Sequence, residues 1–173
     1  FRKVRHLTYV NFKNANLRNC NFSGKVLTGV NFTGSDLSNA YLEHIDFTSV
    51  ILYETSATSA TSATSDTSKI PATPRIPGTP KVILTGAILN YSDLSDKDLS
   101  EYDLTGTVCM FTNFTNANLT KCKLFNTNFY AATFNNTNFT GTEGSNILFN
   151  HAWLFNTIFI DTIFKNACFF NAK

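Results

Sequence analysis

Long apolar runs, metal-spaced cysteines and phosphate-binding loops are all missing from this chain. No apolar stretch approaches the ~20 residues of a membrane-spanning helix, so no membrane span is expected. The four cysteines, Cys20, Cys109, Cys122 and Cys168, have neither metal-ligand nor redox spacing. The only histidines are His6, His44 and His151, and none has a carboxylate or nucleophile at a spacing that assembles a triad or a metal site. No Gly-rich phosphate loop is present. Expected catalytic residues, cofactors and metal ligands are therefore none, and no enzyme is expected. Net charge is +2 and the isoelectric point about 8.4, too weak a bias to predict a nucleic-acid partner. The chain opens without Met and without a charged-then-apolar leader, so no targeting segment is visible, and a cytoplasmic location is favoured.

What the chain does have is leucine or phenylalanine at every fifth residue. The series runs Leu7, Phe12, Leu17, Phe22 and onward to Leu52, then resumes at Leu84 and continues to Phe169. A period of five fits neither the 3.6 of a helix nor the 2.0 of a strand, so each pentad must be one step of a larger repeating object, a solenoid. Two residues before each centre stands a small residue, such as Ala15, Ala40, Ala87, Thr112, Ala117, Cys122 or Ala152. A large and a small inward side chain per pentad fill a narrow core without voids. Just before the centre stands Asn or Asp, as at Asn16, Asp36 and Asn118. Two after it stands mostly Gly or Asn, as at Gly24, Asn116 and Asn136. Gly and Asn tolerate left-handed backbone angles, which predicts a corner once per pentad. The centre fails only at Cys109 and Gly144. Gly144, short of a large side chain and preceded by Gly141, is expected to loosen the coil there, and Tyr102, in a small-residue position, is expected to bulge it.

Segments such as Ala15-Asn16-Leu17, Ser35-Asp36-Leu37, Ala117-Asn118-Leu119 and Thr137-Asn138-Phe139 resemble the consensus of the pentapeptide-repeat family. The resemblance implies an all-β fold, a right-handed quadrilateral β-helix with four pentads per coil. On that reading the chain makes about seven coils, a rod roughly 34 Å tall at the usual strand spacing, and residues twenty apart stack into ladders.

One segment departs from the repeat. Residues 54–80 form an expected inserted loop between a first block of coils, 5–53, and a second, 81–173, all within one domain spanning 1–173. Its first part is a Thr/Ser/Ala repeat with nothing large to bury. Its second part carries all four prolines at a spacing of three, Pro71, Pro74, Pro77 and Pro80, with Arg75 among them. That spacing favours polyproline II, an extended form suited to docking in an aromatic groove. The loop is either a solvated excursion leaving at a corner or a partner contact.

Function is expected where the pattern breaks. The outward columns of the last coil and a half hold Leu148, Trp153, Phe155, Ile158, Ile160, Ile163 and Phe170, an apolar band expected to mark a protein interface. A smaller aromatic group comprises Tyr91, Phe111, Phe125 and Tyr130. Arg2, Lys3, Arg5, Lys13, Arg18 and Lys25 form either an end cap or a phosphate-binding patch, with the cap favoured. The acidic run comprises Asp93, Asp96, Asp98, Glu101 and Asp103; Asp93, Asp98 and Asp103 occupy successive pentads, so they point from three different sides and cannot converge on one metal. The favoured function is a non-enzymatic structural and protein-interaction module. Its partners are another copy, joined through the C-terminal coils, or the other subunits of a larger assembly. The resemblance adds two alternatives: a DNA-mimicking inhibitor or protector of gyrase-type topoisomerases, and a secreted bacterial effector. The first needs a strongly acidic surface, which the net charge opposes.

Overall fold

The computed structural model describes residues 4–33, 35–47, 50–52 and 83–173. Parallel bridges join residues twenty apart along the whole described chain, as in Asn11 to Asn31, Asp93 to Asn113 and Asn118 to Asn138. Since the apolar centre recurs every fifth residue, one turn of twenty carries four sides, and the molecule is a right-handed quadrilateral β-helix. Where the chain passes residues 54–80 the step lengthens from 20 to 47, and Asp36 bridges Ile83, Tyr41 bridges Ile88 and Asp46 bridges Asp93. The expected inserted loop lies outside the described residues.

Each column of the pentad has a physical reason. Centres such as Leu37, Leu99, Phe114, Leu119 and Phe139 are fully buried, and so are the residues two before them, such as Ala40, Ala87, Thr112, Cys122 and Ala152. Aromatic centres stack one coil above another, as in Phe114 on Phe134 at 5.1 Å and Phe139 on Phe159 at 5.2 Å. Between centre and next small residue the chain turns: the amide of Val10 donates to Leu7, that of Ala15 to Phe12 and that of Ala117 to Phe114. The residue two after the centre takes the left-handed conformation throughout, with φ of 57° at Asn14, 60° at Asn116 and 65° at Gly24. This is a type II turn, whose third position demands positive φ.

The polar column just before the centre does more than face solvent. The Asn or Asp side-chain oxygen accepts the amide two residues on, as Asn11 does from Lys13, Asp36 from Ser38 and Asn138 from Thr140. Inside, hydroxyls of the small column donate to the centre carbonyl of the coil below: Thr112 to Leu89, Thr127 to Leu104, Thr137 to Phe114 and Thr142 to Leu119. Buried threonine is tolerated because each of these hydroxyls finds that partner.

Two expectations about irregular pentads need correction. Gly144 does not loosen its coil. It lies buried in β1 (Glu143–Ser145), which pairs in parallel with β2 (Ile163–Lys165). The space a large centre would fill is taken by Ile147, fully buried in the column that mostly holds small residues. A Cβ on Gly144 would meet Ile147 Cδ1 and the Leu124 backbone at 2.9 Å, so large and small have exchanged places within one pentad. Tyr102, expected to bulge the coil, instead lies in the core with its hydroxyl donating to the Leu52 carbonyl at 3.3 Å.

Candidate interaction surfaces

Every residue of the apolar C-terminal band is exposed, from 41% at Leu148 and Ile158 to 68% at Phe155. The register spreads these side chains over all four sides of the last coil. Leu148 continues the ladder of Asn128, Trp153 that of Thr133, Ile158 that of Asn138 and Ile163 that of Glu143. The band is thus a collar around the end of the rod, not a patch on one flank. Phe159 and Phe169, centres of the last coil, are also exposed at 36% and 42%, whereas Phe139 and Phe149 below them are buried. Lys173 Nζ stands 4.4 Å over the Trp153 ring, a cation–π contact. The possible loop contacts Pro71, Pro74, Arg75, Pro77 and Pro80 lie outside the described residues.

The smaller aromatic group is longer than sequence reading suggested. His44 stacks on Tyr91 with centroids 5.0 Å apart, Tyr91 on Phe111 at 5.0 Å, Phe111 meets Tyr130 at 5.8 Å, Tyr130 meets His151 at 5.2 Å and His151 meets Phe170 at 5.9 Å. The stripe climbs one corner of the rod. At Ala131, which lacks a ring, Tyr130 supplies one from the neighbouring position. Phe125 belongs to another side and does not join. His44 and His151 were legible as members, because 44 to 91 is the 47-residue step across the insertion and 151 lies two coils above 111.

Charged residues are dispersed. Asp93, Asp96 and Asp98 each accept an amide hydrogen from the Asn one coil above, Asn113, Asn116 and Asn118, at 2.9–3.0 Å. From Asn116 the ladder continues through Asn136 to Asn156. These carboxylates anchor asparagine ladders on different sides of the rod, and no group of acidic, histidine or cysteine residues among the described residues is arranged to hold a metal. Of the basic cluster, Arg2 and Lys3 lie outside the described residues. Arg18 Nη1 is 3.8 Å from Asp36 Oδ2, and Lys13 and Arg18 occupy successive sides, so the described members do not form one patch.

Sequence reading missed Lys97. It occupies the inward small column, and its ammonium donates to the Val50 carbonyl at 3.2 Å. Burial pushes its pKa below the usual lysine range, against the opposing pull of Asp46, Asp93 and Asp96. A lysine whose folded value is depressed costs stability while charged, and that cost is relieved as pH rises through the folded value toward the ordinary one. The stability of the wild type relative to a Lys97→Met variant is therefore expected to improve between neutral and alkaline pH, measured by urea unfolding; a difference that is constant or moves the other way contradicts the burial of this charge.

Burial pushes the Cys109 thiol up to about 12. Cys122 is also buried and donates to the Leu99 carbonyl, whereas Cys20 and Cys168 are half-exposed. A thiol reagent under native conditions is expected to label Cys20 and Cys168 rapidly and Cys109 and Cys122 only on unfolding. Equal rates for all four would contradict the burial of Cys109 and Cys122.

The four-sided turn, the left-handed corner and the two inward columns define a pentapeptide-repeat solenoid. The chain belongs to that family: the profile for pentapeptide repeats matches eight copies over residues 6–24, 26–61, 81–120 and 103–141. Among solved structures it is similar to the pentapeptide-repeat protein Rfr23 of the cyanobacterium Cyanothece 51142, with a TM-score of 0.54 and 23% identity over 80% of this chain and 87% of that one. It is also similar to QnrB1, a plasmid-mediated fluoroquinolone resistance protein, with a TM-score of 0.53 and 14% identity over 96% of this chain and 66% of the other, just under two thirds of its length. At these identities the likeness shows the fold. No curated protein matches the chain. No helix among the described residues is long and apolar enough to cross a membrane.

Proposed function

We propose that this protein is a non-enzymatic scaffold, a single solenoid domain with 54–80 as an insertion, that joins a protein partner through its C-terminal coils. The observation that carries this reading is the apolar collar: Leu148, Trp153, Phe155, Ile158, Ile160, Ile163 and Phe170 are all exposed around one end of a rod whose other outward columns are largely polar. A collar on four sides is covered by a partner seated end-on, since a surface laid along one flank reaches only part of it. Burying an aromatic anchor such as Trp153 among aliphatic neighbours supplies several kcal/mol at ~25 cal/mol per Å² before association costs. The fitting occupants are a second copy of the chain, in the symmetric arrangement common among homo-oligomers, and a subunit of a larger assembly.

Mimicry of duplex DNA has less support. It requires a continuous negative stripe, whereas Asp93, Asp96 and Asp98 are each hydrogen-bonded within asparagine ladders and the net charge is +2. Light scattering tests the favoured reading. The wild type is expected to self-associate or to hold a partner from its source through its C-terminal coils, and a Trp153→Glu, Ile160→Lys double variant is expected to lose that contact. A wild type that stays monomeric at high concentration refutes self-association. A double variant that holds every partner as tightly as the wild type refutes the interface itself.

A further inference from the structure

The stripe from His44 to Phe170 is a second surface, which meets the collar at Phe170 and runs down one side of the rod away from it. On its flank the bridged ladder Tyr41, Ile88, Val108, Asn128, Leu148 and Cys168 runs parallel to it, so this side of the rod presents apolar groups over most of its height, whereas below the collar the other sides hold scattered apolar residues such as Ile51 and Ile83. The stripe spans five coil steps, about 24 Å at the usual strand spacing. Its width is that of a single side, so it offers a few hundred Å², well short of the ~800 Å² per partner of a stable globular interface. A single extended chain is the occupant of the right dimensions.

We propose that this stripe binds a basic proline-rich strand in the polyproline II form, and that its source is the run from Lys69 to Lys81 of a second copy of this chain. Three properties converge. The first is repeat length. Stacked rings recur every 5.0 Å, so two rungs span about 10 Å, against about 9.3 Å for the three-residue turn of polyproline II. Pro71, Pro74, Pro77 and Pro80 fall once per such turn and keep step with alternate rungs.

The second is hydrogen bonding. Polyproline II leaves its carbonyls free of internal bonds, and the hydroxyls of Tyr91 and Tyr130, both on exposed side chains, are donors suited to them. The third is charge. The run carries Lys69, Arg75 and Lys81 and no acidic residue. Glu43, Asp46 and Asp93 stand beside the lower rungs, and Lys97 offsets one of these charges and leaves that end net negative.

The source is a second copy because of where the insertion leaves the coil. Ile83 resumes the ladder over Asp36, one side before Ile88 and the aromatic side. The root of the insertion is thus two corners away from Tyr91, diagonally across the rod, and Pro80 lies only three residues from Ile83. A chain cannot lay the end of this run on its own stripe, but two copies can exchange theirs reciprocally.

The probe is a fluorescein-labelled peptide of residues 69–81, titrated by fluorescence anisotropy with full-length chain carrying Pro74→Ala and Pro77→Ala, so that its own run does not compete. Saturable binding is expected. Adding Tyr91→Asn and Phe111→Asn should weaken it tenfold or more; Asn accepts the positive φ of these corners, so the fold is retained, as circular dichroism will report. Asp46→Asn with Asp93→Asn, which leaves the rings untouched, should weaken it about threefold and flatten its salt dependence. The Trp153→Glu, Ile160→Lys pair should leave it unchanged, which separates this surface from the collar. Absence of saturable binding, equal binding of a peptide with Pro74 and Pro77 replaced by Ala, or indifference to the Tyr91 and Phe111 changes would each overturn the proposal. The Trp153→Glu, Ile160→Lys variant is expected to keep a weaker self-association at high concentration by light scattering; its absence, or its indifference to Pro74→Ala with Pro77→Ala, overturns the second-copy source.

Discussion

Replacing Leu119 by alanine is expected to destabilise the solenoid by about 2–5 kcal/mol, the range for a buried large-to-small change. The side chain is fully enclosed between coils, and each face of a narrow core has few atoms able to move into the void. Asn116, three residues earlier, is the contrasting site. It is exposed, holds φ at 60°, donates to Asp96 and accepts from Asn136. Asn116→Ala loses the residue type that tolerates left-handed angles and a solvent-exposed rung of a ladder, at a cost of about 1 kcal/mol. Urea unfolding of the two variants decides the matter: similar losses, or a larger loss at Asn116, contradict the assigned columns.

Gly144→Ala is expected to be destabilising by about 1–3 kcal/mol, although it moves the sequence toward the family's preference for a side chain at the centre. The added Cβ would stand 2.9 Å from the Leu124 carbonyl carbon and oxygen, which belong to the preceding coil's backbone and cannot rotate away, and 2.9 Å from Ile147 Cδ1. The larger Gly144→Leu should be worse. Trimming the neighbour in a Gly144→Ala, Ile147→Val pair should recover only the side-chain part of the clash. Thermal melts of the single and double variants test this; a stabilised Gly144→Ala would mean that Ile147 does not fill the place of the centre.

The architecture was legible because one short period was impressed on the whole chain. Large centres such as Leu99 and Phe139 and small partners such as Ala117 could be placed by counting in fives, and the corners followed from Gly and Asn two residues later. What escaped needed two positions considered together. The exchange between Gly144 and Ile147 is invisible to a rule that treats each column alone, and Lys97 was unexpected inward because a charged side chain contradicts the column it occupies. The aromatic stripe was half seen: Tyr91, Phe111 and Tyr130 stood out as a group with Phe125, but joining them to His44 required applying the 47-residue step to the corner column. The collar was read correctly as exposed, while its spread around four sides emerged only once each residue was assigned to its ladder. The identity of the partner has no counterpart in any column, because scaffold positions specify packing and not chemistry.

The central claim is that the C-terminal end of the rod is covered by another protein surface. In inner coils each corner amide bonds to the coil above, as Asn136 does to Phe155 and Gly141 to Ile160, whereas those of Asn156, Asp161, Asn166 and Asn171 have no such backbone acceptor among the described residues. Hydrogen exchange at these four amides is the most direct measurement, made on the wild type at high concentration and on the Trp153→Glu, Ile160→Lys variant. The account predicts slowed exchange at residues 156–171 in the wild type and rapid exchange in the variant, with the inner coils equally protected in both. Rapid exchange at those amides in the wild type, alone and with its native partners present, would contradict it.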